Sequence, residues 1–450
     1  MSDRRLSPSR RQLLALGAAG IGFGATGKYI VGADPLGGDE SVCEPRERLF
    51  DPDDWSMPGY DPAGTGHAPA RTAPTGSLHQ QWHADFRGDR ISQPLISAGR
   101  VVVATSGSHS GEQIRTYDLT AGEKQWTAIV SKNGIMGEVG DLVASGGDLF
   151  HRTQTDTHGM AVMSLSLGDG EQHWVAPSDG GVYGRPIVTE RGRVWISDRD
   201  GNTDESPITS LSADTGGACS SWRIDGSGAG TVLMREDLIS VGTAKGLFGL
   251  DRETGEEQWR AETGGSPSVI TRDRVFATRH PGYLRAYSAD SGDIDWTVES
   301  EHYADGELHP ENDYFKIVEG GSSIARPNYR DLAVAGELLL ARERVYSRHA
   351  DRITVFDTAT GDEMWQRDPP AAEADDRIWY TGPIVAGESA FVCENRREGD
   401  SSLLRIDVSS GETLDTVEMD AHAMAAPAVG RGAVVVPRRD GIACYADDRW

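Results

Sequence analysis

An all-β fold, a closed ring of short four-stranded units, is what this sequence predicts. Three observations carry the expectation. A Gly-x-x-x-Trp element recurs from residue 118 onward, a Pro-led apolar run recurs out of phase with it, and a Trp-bearing strand near residue 82 precedes the first full copy. The 450 residues include 55 Gly without a G-X-Y period, which suits many tight turns.

Each unit ends in Asp or Ala, a short spacer, Gly, three residues and Trp. The copies are Asp118 to Gly122 to Trp126, Leu167 to Gly170 to Trp174, Ala213 to Gly216 and a stretched run to Trp222, Asp251 to Gly255 to Trp259, Ala289 to Gly292 to Trp296, and Asp357 to Gly361 to Trp365. A seventh copy, Asp407 to Gly411, puts Asp415 where Trp belongs. The Asp-x-x-Thr-Gly segment supplies the positive-φ turn that joins the last two strands of a unit. Spacings between Trp126 and Trp365 are 48, 48, 37, 37 and 69 residues, so the long unit carries an insertion around 300–330.

The second mark is Gln93-Pro94, Arg185-Pro186, Ser266-Pro267, Gly382-Pro383 and Ala426-Pro427, each followed by an apolar pair or run such as Val101-Val102-Val103-Ala104. Such runs, bounded by turn residues, are short strands. Four short strands in a unit of 40–50 residues make the blade of a β-propeller. Trp82 closes a first outer strand, and units then end at 126, 174, 222, 259, 296, 365 and 415. The remaining 35 residues hold inner strands but no final Trp, so the N-terminal strand completes that blade. The expectation is eight blades with the ring closed by both chain ends. Seven is the alternative if the long unit packs differently.

The repeat resembles the quinoprotein motif A-x-D-x-x-T-G-x-x-x-W across residues 77–450. That motif belongs to the pyrroloquinoline quinone (PQQ) dehydrogenases and to the propeller of the outer-membrane assembly lipoprotein. The resemblance implies that Trp82, Trp126, Trp174, Trp222, Trp259, Trp296 and Trp365 wedge between adjacent blades. It also implies that any quinone would lie at the mouth of the central channel. There, Ca²⁺ would be held by Glu, Asn and Asp side chains, with an Arg over the quinone and an Asp base.

If the Pro marks start the inner strands, the residues before them line the mouth. These are Arg90, Ser92 and Gln93; Asn133 and Met136; Tyr183 and Arg185; Trp379 and Tyr380; His422 and Met424. The ligand-binding candidates among them are Gln93, Tyr183, Arg185, Trp379, Tyr380 and His422. They include one strong cation, Arg185, and aromatic walls, but no carboxylate cluster for a hard metal. Vicinal cysteines are absent, as is the extra sequence that the dehydrogenases carry beyond the ring. No catalytic residue is assigned and no cofactor is expected; PQQ and Ca²⁺ belong to the dehydrogenase alternative. The insertion carries His302, His309, Glu311 and Asp313, which are metal-ligand types. No known metal spacing matches, and an acidic solvated loop accounts for the same composition. No Gly-x-Ser-x-Gly elbow, P-loop or His-Glu-x-x-His is present.

Residues 1–33 resemble a twin-arginine export signal. Arg10-Arg11 precedes an apolar stretch from Leu13 to about Thr26, and Val31-Gly32-Ala33 suits cleavage after Ala33. An uncleaved N-terminus acting as a membrane tether is the alternative. Residues 34–76, rich in Gly, Pro and Asp, are expected to be a linker or irregular lead-in to the propeller at 77–450. Cys43, Cys219, Cys393 and Cys444 fit no zinc site. An exported chain could pair them, and Cys393 with Cys444 is the nearest pair in sequence.

There are 70 Asp and Glu against 44 Lys and Arg, a net charge of −26, and five Lys in all. Nucleic acid is excluded as a partner because no basic stripe offsets the acid. Scarce Lys with excess acid resembles the proteomes of extreme halophiles, where salt screens charge within about 3 Å at molar strength. The function expected is a non-catalytic scaffold, exported by the twin-arginine route. It would be a monomer, extracellular or at the cell surface, that binds protein partners. The alternatives are a PQQ- and Ca²⁺-dependent alcohol or sugar dehydrogenase, and a small-ligand or glycan binder using Trp379 and Tyr380.

Overall fold

The computed structural model describes residue 43 and residues 50–450, apart from 87–89, 108–110, 132–141, 156–158, 178–186, 189–191, 198–203, 231, 263–264, 280–281, 300–327, 346–349, 369–377 and 398–399. Eight antiparallel sheets, each with four strand positions, follow one another along the chain. Their inner strands are, in blade order, Arg90–Ile91 continued by Leu95–Ser97, then Leu142–Ser145, Ile187–Val188, Val232–Met234, Ser266–Ile270, Asn328–Ala335, Ile378–Tyr380 continued by Ile384–Ala386, and Ala428–Gly430. Each inner strand touches the next, except that the inner strand of blade 4 meets the second strand of blade 3, Arg193–Ser197, and the eighth touches the first, so the ring is closed. The eight-blade expectation is met, and the seven-blade alternative is not.

Middle strands lie between two neighbouring blades and bury both faces, so they read as continuous apolar runs. Val101 to Ala104 in the strand Arg100–Gly107 are fully buried. Outer strands such as Lys124–Ser131 alternate between exposed and partly buried residues. The core is therefore divided into clusters between blades. One joins Val102 and Ile114 of blade 1 to Leu149 and Met163 of blade 2.

The seven tryptophans sit at these joints. Each stacks on the turn glycine of the following blade, from Trp82 on Gly122 through to Trp365 on Gly411. At Gly122 the backbone has φ +68, and a Cβ there would stand 2.6 Å from the Trp82 ring. Six of the seven indole N–H groups also donate to a carbonyl of that next blade, as Trp259 does to Ala289 O at 2.8 Å.

Blade 8 combines Ala428–Gly430, Ala433–Arg438 and Gly441–Ala446 with an outermost strand, His79–Asp85, from the other end of the chain. Trp82 pairs with Cys444. No turn links these last two strands, so the motif is rebuilt from two chain ends. In blade 1 the Asp118 carboxylate accepts the Thr120 and Ala121 N–H groups within its own turn. In blade 8 Asp447 Oδ2 accepts N–H from Gly76 at 2.7 Å and Thr75 at 2.9 Å, and Oδ1 accepts from Arg449 at 3.0 Å. There is no turn glycine here for a tryptophan of blade 7 to cover. Asp415, the residue in that position, accepts the Leu78 N–H at 2.6 Å instead.

The N–H groups of Gly76, Arg449 and Thr75 pull the Asp447 carboxyl from an ordinary 3.8 down to about 2. A folded-state pKa below the unfolded one means stability that is complete above about pH 4 and lost as pH falls towards 2. Asp447→Asn is therefore expected to lower the urea midpoint at pH 7 and to flatten its decline between pH 4 and pH 2. A variant whose acid profile parallels the parent's would contradict this closure.

The expected linker at 34–76 is, over residues 50–76, a strap beneath the channel. Its backbone reaches the inner strands of six blades and, in blade 8, the turn that follows the inner strand. Trp55 exchanges two hydrogen bonds with Ile96, and Ser56 O accepts Ala144 N–H at 2.8 Å. Pro62, Ala63, Thr65 and Gly66 carbonyls accept N–H from Met234, Ile270, Val334 and Val385, each at 2.8 Å. His67–Ala68 pairs in parallel with Ile384–Ala386, and Thr72 O accepts Gly432 N–H at 3.0 Å. An inner strand has no partner on its channel side, so the strap satisfies backbone groups that would otherwise be orphaned. Trp55 is fully buried by this packing.

Cys43 and Cys219 form a disulfide with Cα atoms 5.4 Å apart, fastening residue 43 to the outer strand Ala218–Asp225 of blade 3. Cys393 and Cys444, the nearest pair in sequence, are free thiols on the middle strands of blades 7 and 8. Burial pushes the Cys393 thiol up to about 12, so it is unreactive.

Candidate functional site

The channel mouth is shaped by the Pro marks. Proline has no N–H for a ladder. In blade 1 the inner strand breaks around Pro94, and Ser92 bridges the gap. Ser92 N–H donates to Ala104 O at 2.9 Å, and Ser92 Oγ accepts Ala104 N–H at 3.0 Å. Blade 7 repeats the device with Thr381 against Cys393, at 2.9 and 3.0 Å. In these two blades the Pro lies within the inner strand and does not begin it. The break turns the flanking residues into the channel.

They enclose a cavity of about 590 Å³. Its walls come from blades 1, 6, 7 and 8, and Pro58 of the strap is part of its lining. The principal charged group there is Arg342. Its Nη2 lies 2.5 Å from Asp331 Oδ2, and its Nη1 bonds to Asp351 Oδ2 at 3.2 Å and donates to Tyr380 O at 2.9 Å. Burial raises the Asp351 carboxyl against the pull of Arg342. This trio ties blade 6 to the inner strand of blade 7.

The sequence candidates fall into three groups. Arg90, Ser92, Gln93, Trp379, Tyr380 and Met424 line the cavity together. His422 stands behind Trp379, with ring centroids 5.1 Å apart and edge-on. Asn133, Met136, Tyr183 and Arg185 lie outside the described residues, as do His302, His309, Glu311 and Asp313. Two of the lining candidates are tied to the ring. Gln93 Nε2 donates to Pro427 O at 2.8 Å, joining blade 1 to blade 8. Tyr380 is fully buried and its hydroxyl donates to Glu394 at 3.2 Å; burial beside that carboxylate raises its pKa.

Sequence reasoning missed Asp331, Arg342 and Asp351. The signal was present, because Arg342, Glu343 and Arg344 interrupt the otherwise apolar strand Leu338–Val345.

A Ca²⁺ ion takes six to eight oxygen ligands. Among the described residues Asp331 is the one carboxylate lining the cavity, and it is bonded to Arg342. This donor set does not fit a calcium–quinone pair. Elsewhere, His83 lies 3.4 Å from Asp85 and 3.5 Å from Asp440 on blade 8. Asp440 is also held by Arg438 at 2.8 Å, so one of the two carboxylates beside His83 is already in an ion pair.

A protein-family profile described as outer membrane protein assembly factor BamB matches residues 64–181, 204–309 and 318–417, well over half the chain. A comparison with curated protein sequences finds no match. Similar solved structures include BamB from Moraxella catarrhalis, at 15% identity and TM-score 0.55, covering 83% of this chain and 99% of that one. The quinohemoprotein alcohol dehydrogenase from Comamonas testosteroni is 14% identical with TM-score 0.61, covering 88% and 80%. The computationally designed Ika8 protein is 13% identical with TM-score 0.58, covering 83% and 100%. At these identities the structures share the fold.

Proposed function

The chain belongs to the family described as outer membrane protein assembly factor BamB, and from that premise we propose that it is a non-catalytic exported propeller, a docking scaffold for proteins at the cell surface. One observation carries the reading. Most polar groups lining the described part of the mouth bond within the ring itself: Arg342 to Asp331, Asp351 and Tyr380, Gln93 to Pro427, and Tyr380 to Glu394. A catalytic site keeps such groups aimed at the reacting centre.

Export is supported by Arg10-Arg11 with its apolar stretch and by the Cys43–Cys219 bond, since disulfides persist in oxidising compartments. Scarce Lys and a net charge of −26 support saline surroundings, and like charge on every copy supports a monomer.

The reading is tested by titrating PQQ, with Ca²⁺ in molar salt, into the chain from Asp34 onward. Quinone absorbance and dye reduction would be followed with a panel of alcohols and sugars. The expected outcome is no saturable binding at tens of micromolar quinone and no turnover. Saturable binding with turnover would establish the dehydrogenase alternative instead.

A further inference from the structure

We infer that the outer wall of blades 6 and 7 docks a segment of a partner protein that has an apolar centre and basic flanks. This rests on the scaffold reading and names the face and the chemistry it would use. Every outer strand carries a β-bulge near its start. A bulge adds one residue that has no cross-strand partner and re-aims its side chain. In five blades that residue is polar and exposed: Gln81, Gln125, His173, Gln258 and Asp295. In blade 3 it is Cys219, and there the position already holds a remote piece of chain. Cys219 bonds to Cys43, whose carbonyl accepts Arg193 Nη2 at 3.1 Å.

Blades 6 and 7 depart from this pattern. Their bulge residues are Met364 and Leu414, 54% and 48% exposed, on the outer strands Glu363–Arg367 and Thr413–Met419. The two strands share one joint. Trp365, next to Met364, stacks on Gly411, three residues before Leu414, and its N–H donates to Val408 O at 2.8 Å. Arg367 Nη1 donates to Thr413 Oγ1 at 2.9 Å. Two apolar side chains therefore stand at matching positions on adjacent blades. Methionine adapts its shape to an incoming group.

The surroundings select the partner's charge. Residues 357–368 and 407–420 cover these strands and the turns that lead into them. They hold nine Asp or Glu and one base, Arg367, whereas the whole chain has 70 acids to 44 bases. Asp362, Glu363, Glu412 and Glu418 are exposed. A second copy would bring the same carboxylates, so like charge opposes self-association through this wall. A segment with bases on either side of an apolar centre matches it, the apolar group supplying affinity and the charges supplying specificity.

The test is fluorescence anisotropy of the full chain with a labelled peptide, Lys-Arg-Leu-Phe-Arg-Lys. Two control peptides replace its bases by glutamate or its Leu-Phe by Ser-Ser. Saturable binding of the first peptide alone is expected. Met364→Lys and Leu414→Lys should each weaken it about tenfold or more, while Met364→Leu retains it. Ile129→Lys places the same charge at a 64% exposed apolar position on blade 1 and should leave binding unchanged. Urea midpoints of all four variants should match the parent, because the three positions are exposed. An equal loss from Ile129→Lys would show general attraction to an acidic molecule and overturn the inference, as would equal binding of the Ser-Ser peptide. If neither peptide nor quinone binds, the docking wall fails and the scaffold reading stands. If quinone binds with turnover and the peptide does not bind, both fail.

Discussion

Trp259→Ala is expected to cost about 3–5 kcal/mol of stability, the usual range for removing a buried Trp. Trp259 is 6% exposed, stacks on Gly292 of the next blade and donates its N–H to Ala289 O at 2.8 Å. Its removal opens a cavity at a joint between blades and leaves a carbonyl unpaired. Gly292→Ala attacks the same joint from the other side, since φ is +73 and the new Cβ would lie 2.5 Å from the ring. The two changes should not add, because removing the ring removes the clash. Equilibrium urea unfolding of both single variants and the double variant measures this coupling. Ile294→Ala, on the exposed side of the same blade, serves as control and should change stability by about 0.5 kcal/mol or less. A Trp259→Ala loss as small as the control's would remove the indole from its structural role.

Reducing the Cys43–Cys219 bond is expected to lower the unfolding free energy by about 2–5 kcal/mol. The two residues are 176 apart, and chain entropy alone gives about 5 kcal/mol for a loop of that size. The bond anchors residue 43 on blade 3, upstream of a strap held chiefly by single backbone hydrogen bonds. Dithiothreitol is a clean probe because Cys393 and Cys444 are fully buried thiols already. The Cys43→Ser, Cys219→Ser double variant should start at the reduced midpoint and ignore the reagent. An unchanged midpoint, with four thiols counted after reduction, would show that the bond does not stabilise the fold.

The blades were legible because a tryptophan at a fixed offset from a turn glycine has one structural explanation, and seven such pairs keep phase. Closure was legible for a similar reason: Trp82 lacked a unit before it and residues 416–450 lacked a strand after them. Asp415 marked the odd joint, but its partner, the Leu78 N–H, carries no side-chain signal. The strap was hidden for that same reason. Its contacts are carbonyls of Ser56, Pro62, Ala63, Thr65 and Gly66, and backbone pairing leaves no periodicity to read. At the mouth, residue type pointed to a position but not to a task. Gln93 and Tyr380 are on the cavity, yet their polar atoms serve neighbouring strands. The disulfide joins residues whose proximity depends on where the tail crosses the ring, which spacing alone does not encode.

Pairing Trp82 with Cys444 also sets a clock. The strand His79–Asp85 is made early, and the strand it must join, Gly441–Ala446, is the last of the ring's strands to be made. At roughly 5–20 residues per second, about 20–70 seconds of synthesis separate the two. Throughout that wait the first strand is an unpaired edge, the kind that invites association with other chains. Its composition answers the hazard: His79, Gln80, Gln81, His83 and Asp85 surround a single large apolar residue. The seven intervening blades can form in order as they emerge. The eighth cannot, because its outermost strand waits for Gly441–Ala446 to emerge, so the ring closes after every other blade.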